Sequence, residues 1–344
     1  MTLKELSVEV GASPSIISRV LNGYNQNFSI SNDLREKILQ KAKEHNYRPN
    51  PIFRAIKQKE NKQIAVLFYS PSPKSVGLTM DEMVDDASLN FAQRGYMINF
   101  TFCSTPREQL VYQLPPWKVA GLLIPDCQAP KNVAAIEAAG MPYVCMNGVS
   151  GEKGTAVLCD EEDGMRQILT HLYRMGHRNI CLCQYRTKQL DCYSIYHIRY
   201  EAFRRICAEM GIAAHCMARV SPDQTGESEK KQHDLNVSDI AALFDQKITA
   251  LICEATICLE IYYHVHSLGK TIPRELSIVA YNDEAELKWM LPPVTVFRIP
   301  GRAMGKLAAD ILYQKITGNP EYSNGKQHLL KGELILRQSV AEIK

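Results

Sequence analysis

Residues 13–23 read S-P-S-I-I-S-R-V-L-N-G and predict a short amphipathic helix near the start of the chain. Ser13 can cap this helix, and Pro14 suits its first position, where the missing N–H costs nothing. The pattern stops near Asn22 and Gly23. The apolar side chains recur at helical spacing, at Ile16, Ile17, Val20 and Leu21.

The residues before this segment predict another helix, joined to it by a tight turn. Leu3, Leu6 and Val10 lie at helical spacing, and Thr2 is placed to serve as the N-cap. Gly11 then breaks the pattern. A short helix, a glycine turn and a second helix together predict a helix-turn-helix.

The second of these helices carries groups suited to reading DNA. Ser13, Pro14 and Ser15 are small enough to let the start of the helix approach base edges. Arg19 projects from the polar face, where its guanidinium can hold guanine O6 and N7 with two hydrogen bonds. Ser18 adds a short polar group beside it.

The first 62 residues form a small basic module. Residues 34–42 predict a third helix that ends by Asn46, and Pro51 to about Lys59 predict a short fourth one. This module contains 11 basic and 6 acidic residues, a net charge of +5, whereas the rest of the chain contains 29 and 31, a net charge of −2. A basic module on a near-neutral body favours a polyanionic partner.

From Ile64 onward, short apolar runs alternate with amphipathic segments. This alternation predicts an α/β body of doubly wound parallel sheets, in two series that meet near residue 160. Ligands of such sheets bind at the carboxyl ends of the strands. Strands are predicted at 64–69, 97–102, 119–125, 142–147, 179–184, 248–253 and 276–281. Helices are predicted at 83–94, 133–139, 164–175, 198–210, 237–244, 256–268 and 302–316.

Composition excludes several classes of protein. The 344 residues carry a net charge of only +3, and no run approaches the 18 consecutive apolar residues of a membrane-spanning helix. Without an export signal, the 11 cysteines are expected to be reduced thiols in a cytoplasm. The chain lacks G-x-G-x-x-G, P-loop and G-x-S-x-G motifs, so we expect neither an enzyme nor a cofactor or metal. The adjacent carboxylates Glu161 and Glu162 are expected on solvated surface.

Several segments resemble the LacI/GalR family of bacterial transcription repressors along nearly the whole chain. In the head these are 13–23, L-R-E-K-I (34–38) and N-Y-R-P-N (46–50). In the body they are D-E-E-D-G (160–164), H-L-Y-R-M-G-H-R-N-I (171–180), I-R-Y-E-A-F (198–203), I-P-R-E-L-S-I-V-A-Y-N-D (272–283) and L-P-P-V-T-V (291–296).

The resemblance implies a helix-turn-helix DNA-binding domain at 1–49, a hinge helix and linker at 50–62, and a two-lobed, periplasmic-binding-protein-like effector and dimerisation domain at 63–344. The first lobe would take about 63–160 and 290–322, and the second about 161–289 and 323–344, with a final strand near 329–337. The head would bind a pseudo-palindromic operator as a homodimer, and a small molecule in the cleft would control it allosterically.

The resemblance also implies that the hinge helix pairs with its dimer mate in the minor groove. Ile56 stands where the family places an apolar wedge, and Phe53 where it usually has a small residue. Unstacking a base step costs a few kcal/mol, which the contacts of a bent duplex offset. The expected DNA contacts are Thr2, Ser13, Pro14, Ser15, Ile16, Ser18, Arg19, Asn22, Asn27, Ser29, Tyr47, Asn50, Phe53 and Ile56.

For the effector, the resemblance implies a sugar or related metabolite in the cleft. Arg199 stands where a family arginine binds effector hydroxyls or carboxylates, although a surface arginine paired with Glu201 is the alternative. Asn282 replaces a frequent aspartate, and Ala255 removes a polar contact. Tyr281 is expected to pack. The expected effector contacts are Tyr69, Ser70, Asn147, Arg199, Ala255 and Asn282.

Three alternatives stay open at this point. The effector can be a different small metabolite, or a protein corepressor can replace it. The two-lobed body also suits the solute-binding receptor of a transporter, although the basic head and the missing export signal count against that class.

Overall fold

A computed structural model describes residues 2–21, 30–47, 61–68, 78–102, 115, 118–127, 130–186, 195–220 and 235–343. The chain divides between Lys62 and Gln63 into two compact units, a head and a body. Among the described residues, no helix is both long and apolar enough to cross a lipid bilayer.

The described part of the head contains three helices: α1 (Leu3–Val10), α2 (Pro14–Leu21) and α3 (Asn32–Glu44). These confirm the three helices predicted there. Gly11 adopts φ +75° at the end of α1, a left-handed conformation that glycine reaches without strain and that turns the chain toward α2. One residue from each helix is fully buried at the centre of the head core: Leu6, Ile17 and Ile38.

The body contains two six-stranded sheets. The first has the strand order β11-β5-β4-β3-β1-β2, and the second β12-β10-β9-β8-β6-β7. The strands pair in parallel except for β12, which runs antiparallel to β10. The first sheet comprises β1 (Gln63–Phe68), β2 (Met97–Phe102), β3 (Gly121–Pro125), β4 (Tyr143–Met146), β5 (Thr155–Cys159) and β11 (Gln327–Leu330). The second comprises β6 (Asn179–Arg186), β7 (Ala213–Val220), β8 (Ala250–Glu254), β9 (Ser277–Tyr281), β10 (Thr295–Arg298) and β12 (Glu333–Ile335).

Helices follow the strands as the alternating pattern predicted. They are α4 (Leu78–Gln93), α5 (Ala134–Ala138), α6 (Glu161–Arg174), α7 (Ile195–Met210), α8 (Val237–Asp245), α9 (Ala255–Ser267) and α10 (Gly301–Ile316), with short 3₁₀ helices at Pro130–Val133, Ala285–Lys288 and Pro320–Tyr322. All seven strands and all seven helices predicted for the body are present within a few residues of their expected ends.

Three strands, β5, β7 and β10, were not predicted, and β10 is only four residues long. The other two were missed for different reasons. The strand β7 lies at the edge of its sheet, so its described side chains are largely exposed and form no apolar run. The strand β5 is entirely buried, but it is only five residues long and contains Thr155 and Ala156. These residues do not stand out as a β-branched or aromatic run.

The predicted lobe boundaries near 290 and 323 are wrong by about one strand each. Within the described residues, the chain passes between the sheets after Cys159, after Arg298 and between Leu330 and Glu333. The strand β10 belongs to the second sheet because it pairs with β9, and β11 belongs to the first because it pairs with β5.

The third passage divides the final strand expected near 329–337 into β11 and β12. It occurs at Gly332, where a Cβ atom would lie 2.5 Å from the Arg298 carbonyl oxygen. A side chain would therefore obstruct the close approach of the two segments.

Candidate DNA-reading face and effector site

The start of α2 presents a polar surface on the head. Ser13 Oγ accepts a hydrogen bond from the Ile16 N–H at 3.3 Å, which confirms Ser13 as the cap of this helix. The apolar side of α2 enters the head core through Ile17 and Val20. The predicted DNA contacts of this helix that are exposed or half-exposed are Ser13, Pro14, Ser15, Ile16, Ser18 and Arg19.

The other two helices of the head are joined by polar contacts. Lys37 Nζ donates to the Val10 carbonyl oxygen at 3.1 Å. Lys41 Nζ lies 3.1 Å from Glu9 Oε1, and His45 Nε2 lies 3.0 Å from Glu9 Oε2. These contacts and the shared apolar core hold α1 against α3, and α2 packs on the same core.

Thr2 and Tyr47 have structural roles within the head. The Thr2 Oγ1 accepts from the Glu5 N–H at 3.2 Å, and the Thr2 N–H donates to Glu5 Oε2 at 2.8 Å. This reciprocal pair is a capping box and confirms Thr2 as the N-cap of α1. Tyr47 is half-buried against the head core, and burial raises the pKa of its hydroxyl. Their predicted DNA contacts stay predictions, while Asn22, Asn27, Ser29, Asn50, Phe53 and Ile56 lie outside the described residues.

In the body, the strands of the second sheet end in a row of polar side chains. Glu254 ends β8 directly beside Tyr281, which ends β9. On the other side of β8, Cys183 pairs with Cys253, so the next residue, Gln184, lies beside Glu254. Equivalent positions of neighbouring strands face the same side of a sheet. Gln184, Glu254 and Tyr281 therefore form one polar row at the edge where ligands of such sheets bind.

Arg199 of α7 lies over this row and is only 2% exposed. Its Nε donates to Glu161 Oε2 at 2.9 Å, and its Nη2 donates to Glu161 Oε1 at 3.1 Å. Its Nη1 donates to Glu254 Oε1. The guanidinium carbon lies 3.7 Å from the centre of the Tyr281 ring. Arg199 thus joins four elements: α7, the start of α6, β8 and β9.

The pKa values of this cluster are shifted because its groups are buried away from solvent. Burial opposes the charge on Arg199, but the carboxylates of Glu161 and Glu254 keep the pKa of its guanidinium well above the ordinary value. Burial raises the pKa of the Glu254 carboxyl, although Arg199 opposes that shift. Burial also raises the pKa of the Tyr281 hydroxyl.

Two polar atoms of the row lack partners. Within the described residues, neither Gln184 Oε1 nor the Tyr281 hydroxyl has a hydrogen bond, although both are buried. The other end of the Gln184 amide is engaged, because its Nε2 donates to the Tyr196 carbonyl oxygen at 3.1 Å.

The other predicted effector contacts occupy the carboxyl ends of strands. Asn147 follows β4 with φ +51°, and its buried Oδ1 has no hydrogen-bond partner in the described part of the chain. Asn282 follows β9 with φ +70°, and its N–H donates to the Phe297 carbonyl oxygen at 2.9 Å. Ala255 is buried at the first position of α9. Tyr69 and Ser70 lie outside the described residues.

One expectation and one alternative about this region are wrong. Glu161 is buried at 3% exposure beside Arg199, whereas Glu162 lies on the surface with Arg166 and Arg205. Glu201 pairs with Arg204 at 3.9 Å, so it is not the partner of Arg199. Glu254 and Gln184 were not among the residues expected at this site. One signal was present, since Glu254 is a carboxylate placed directly after the apolar run A-L-I-C at 250–253.

Comparisons with known proteins cover both units. Residues 169–340, half of the chain, match the family model of the periplasmic binding protein-like domain. The ribose operon repressor of Haemophilus influenzae is 26% identical over 348 residues, which cover 100% of this chain and 99% of that repressor. The transcriptional repressor PurR of Vibrio vulnificus is 21% identical over 351 residues, which cover 99% of each chain.

A solved structure has a similar fold. The lac repressor dimer bound to operator and the anti-inducer ONPF matches with a TM-score of 0.76 and 20% identity over 99% of each chain. At that identity the likeness shows the fold. The family assignment therefore rests on the family model, on the motifs of the head and on the relatives that match along the full chain. The chain belongs to the LacI/GalR family of transcriptional regulators and carries the family's periplasmic-binding-protein-like domain.

Proposed function

We propose that this protein is a sequence-specific transcriptional repressor that binds a pseudo-palindromic operator as a homodimer. The proposal is supported by the structure of the head, which has its own apolar core. The start of its α2 presents four side chains to solvent: Ser13, Pro14, Ser15 and Arg19. Relatives named as repressors match the chain from end to end, including this head. A regulator of this kind acts where the DNA is, in the cytoplasm.

Within this proposal, α2 is the recognition helix. The small side chains of Ser13 and Ser15 at its start allow the backbone to approach base edges in the major groove. Arg19 supplies a planar donor that distinguishes guanine from the other bases. One head covers one half-site, so a two-fold dimer reads a two-fold symmetric site.

We assign residues 50–62 to a hinge that couples the body to the operator. In the proposed mechanism, a ligand at the carboxyl ends of the strands binds two arrangements of the lobes with different affinities. It shifts their populations and thereby changes operator affinity. Without that difference in affinity the ligand cannot regulate. A ligand that favours the arrangement with low operator affinity is an inducer, and one that favours the arrangement with high operator affinity is a corepressor.

The experiment is selection from a random DNA duplex pool with the purified full chain at two salt concentrations. We expect a recovered two-fold symmetric motif. Phosphate contacts weaken steeply as salt rises, while direct base contacts preserve the preference for that motif over random duplex. Recovery of no motif, with affinity at the level of random DNA at physiological salt, would overturn the proposal of a repressor that binds its operator without a corepressor.

A further inference from the structure

The cluster around Arg199 contains one cation and two carboxyl groups. Glu161, Arg199 and Glu254 are 3%, 2% and 7% exposed, so this imbalance lies within the protein interior. No other cationic side chain is recorded in contact with Glu161 or Glu254 among the described residues. A buried charge is normally paired, so the excess carboxyl group requires either a proton or a cation.

Arg199 has little left to offer an effector. Each of its three guanidinium nitrogens already donates to a carboxylate oxygen of Glu161 or Glu254. Only one N–H on each of its Nη atoms is left for an effector, and any further contact would displace one of these buried partners. Breaking a buried ion pair by removing one partner is strongly unfavourable, and an anionic effector would also face two carboxylates.

The groups that do lack partners accept hydrogen bonds. Gln184 Oε1 is a pure acceptor and has no donor among the described residues. Arg199 donates to Oε1 of the Glu254 carboxylate, whose other oxygen, Oε2, is an acceptor as well. The Tyr281 hydroxyl beside Glu254 is able to accept as well. The row therefore offers two buried atoms that can accept and have no partner in the described part of the chain, next to a carboxylate, and this combination suits a ligand that is rich in donors.

We infer that the polar row of Gln184, Glu254 and Tyr281 binds the cationic nitrogen of a small organic amine, which is the effector of this protein. An alkylammonium group carries three N–H donors and one positive charge. It thus supplies both the donors that the row lacks and the charge that the excess carboxylate requires. Burial raises the pKa of the Glu254 carboxyl, because an uncompensated charge at this buried place is unfavourable. This inference rests on the proposed function, since it names the effector of that regulator.

The experiment measures binding to the full chain by isothermal titration in matched pairs. The probes are D-glucosamine with N-acetyl-D-glucosamine, D-galactosamine with N-acetyl-D-galactosamine, and putrescine with butane-1,4-diol. We expect at least one amine to bind tenfold or more tightly than its neutral partner. If no amine binds more tightly than its partner, or if D-ribose or D-gluconate binds more tightly than every amine, the inference is wrong.

Two variants test the residues. Glu254→Gln should remove the preference for the amine, and Glu286→Gln, at an exposed position of the 3₁₀ helix Ala285–Lys288, should keep it. Tyr281→Phe deletes a hydroxyl without a hydrogen bond in the described part of the chain, so the fold should persist while amine affinity falls several-fold. An amine preference that survives both Glu254→Gln and Tyr281→Phe would overturn the inference.

The inference and the proposed function fail in different ways. The duplex selection uses no ligand, so a symmetric motif supports the regulator whatever the titrations show. A recovered motif without preferential amine binding would overturn only the inference. Amine binding by a chain that selects no DNA motif would overturn the repressor function and leave an amine-binding site without that regulatory role.

Discussion

Arg199 and Glu161 form a two-point ion pair, with donor–acceptor distances of 2.9 and 3.1 Å, and both side chains are almost entirely buried. The pair joins the middle of α7 to the first residue of α6. The net gain from such a pair is small, because both charges lose their hydration. Loss of one partner is costly, since the other charge stays buried.

The first prediction concerns this pair. Arg199→Ala leaves Glu161 and Glu254 buried without their cation, so we expect a loss of about 3–5 kcal/mol in the free energy of unfolding of the body. For a unit of this size the loss lowers the melting temperature by on the order of 10 °C. Calorimetry of the full chain measures it.

The matched control is Arg204→Ala on the same helix. Arg204 is 60% exposed, and its contact with Glu201 is long at 3.9 Å. Its removal should change stability by no more than about 0.5 kcal/mol. Equal effects of the two substitutions would show that the buried cluster has no special energetic role.

The second prediction concerns base reading by α2. If Arg19 grips a guanine, Arg19→Ala should cost about 1–3 kcal/mol of operator affinity and relax the preference at one base pair of each half-site. Gel-shift titrations against the selected operator and its single-base variants measure both effects. Lys43→Ala on α3 removes the same charge elsewhere in the head and should leave the base preference intact. An equal loss on operator and random duplex would instead make Arg19 a phosphate contact.

The third prediction separates the two roles assigned to Thr2. Thr2→Ala removes the side-chain half of the capping box of α1 and should destabilise the head by about 1 kcal/mol. Thr2→Ser keeps an oxygen at the same place and should retain most of that stability. Circular dichroism melting of the full chain follows the change. A Thr2→Ala chain that melts like the parent but binds the operator less well would make Thr2 a DNA contact instead.

The fourth prediction concerns pH. Burial lowers the pKa of His177 to about 4, and its Nε2 lies 3.1 Å from the Ala341 carbonyl oxygen. The same imidazole in the unfolded chain titrates near its ordinary pKa of about 6.5. Between these values the unfolded chain binds more protons, so the stability of the body should fall as the pH drops from about 6.5 to about 4.

Urea denaturation at pH 7.5 and pH 5 tests this dependence. His177→Gln should reduce the difference in midpoint between the two pH values. His266→Gln, at an exposed position of α9, removes one imidazole and should preserve the difference. A parent chain with equal midpoints at both pH values would contradict the assignment.

Local patterns were sufficient to predict most of the elements. Leu6, Ile17 and Ile38, one from each helix, meet in the head core. Each belongs to a set of apolar residues at helical spacing, and a 3.6-residue period places such a set on one side of its helix. The end of α1 at Gly11 was likewise visible, since few residues other than glycine reach φ +75° without strain. The parallel strands followed from short apolar runs that alternate with amphipathic segments.

Local sequence patterns did not predict the lobe boundaries correctly. The segments that form β10 and β11 are only four residues long, and a strand this short can join either sheet. Their membership follows from pairing with β9 and β5, respectively. Such pairing is a long-range contact and leaves no local pattern in the chain.

The amino-acid order by itself determined the helices of the head and the alternation of strands and helices in the body, because these depend on neighbours along the chain. It also singled out Arg199, because that residue lies in a recognisable motif. Only the tertiary structure decided what Arg199 contacts. Its partners Glu161 and Glu254 lie 38 and 55 residues away, and folding brings all three into one buried place. A carboxylate that looks solvated in the sequence becomes a buried ion-pair partner there, because burial depends on what packs around a residue and not on its neighbours in the chain.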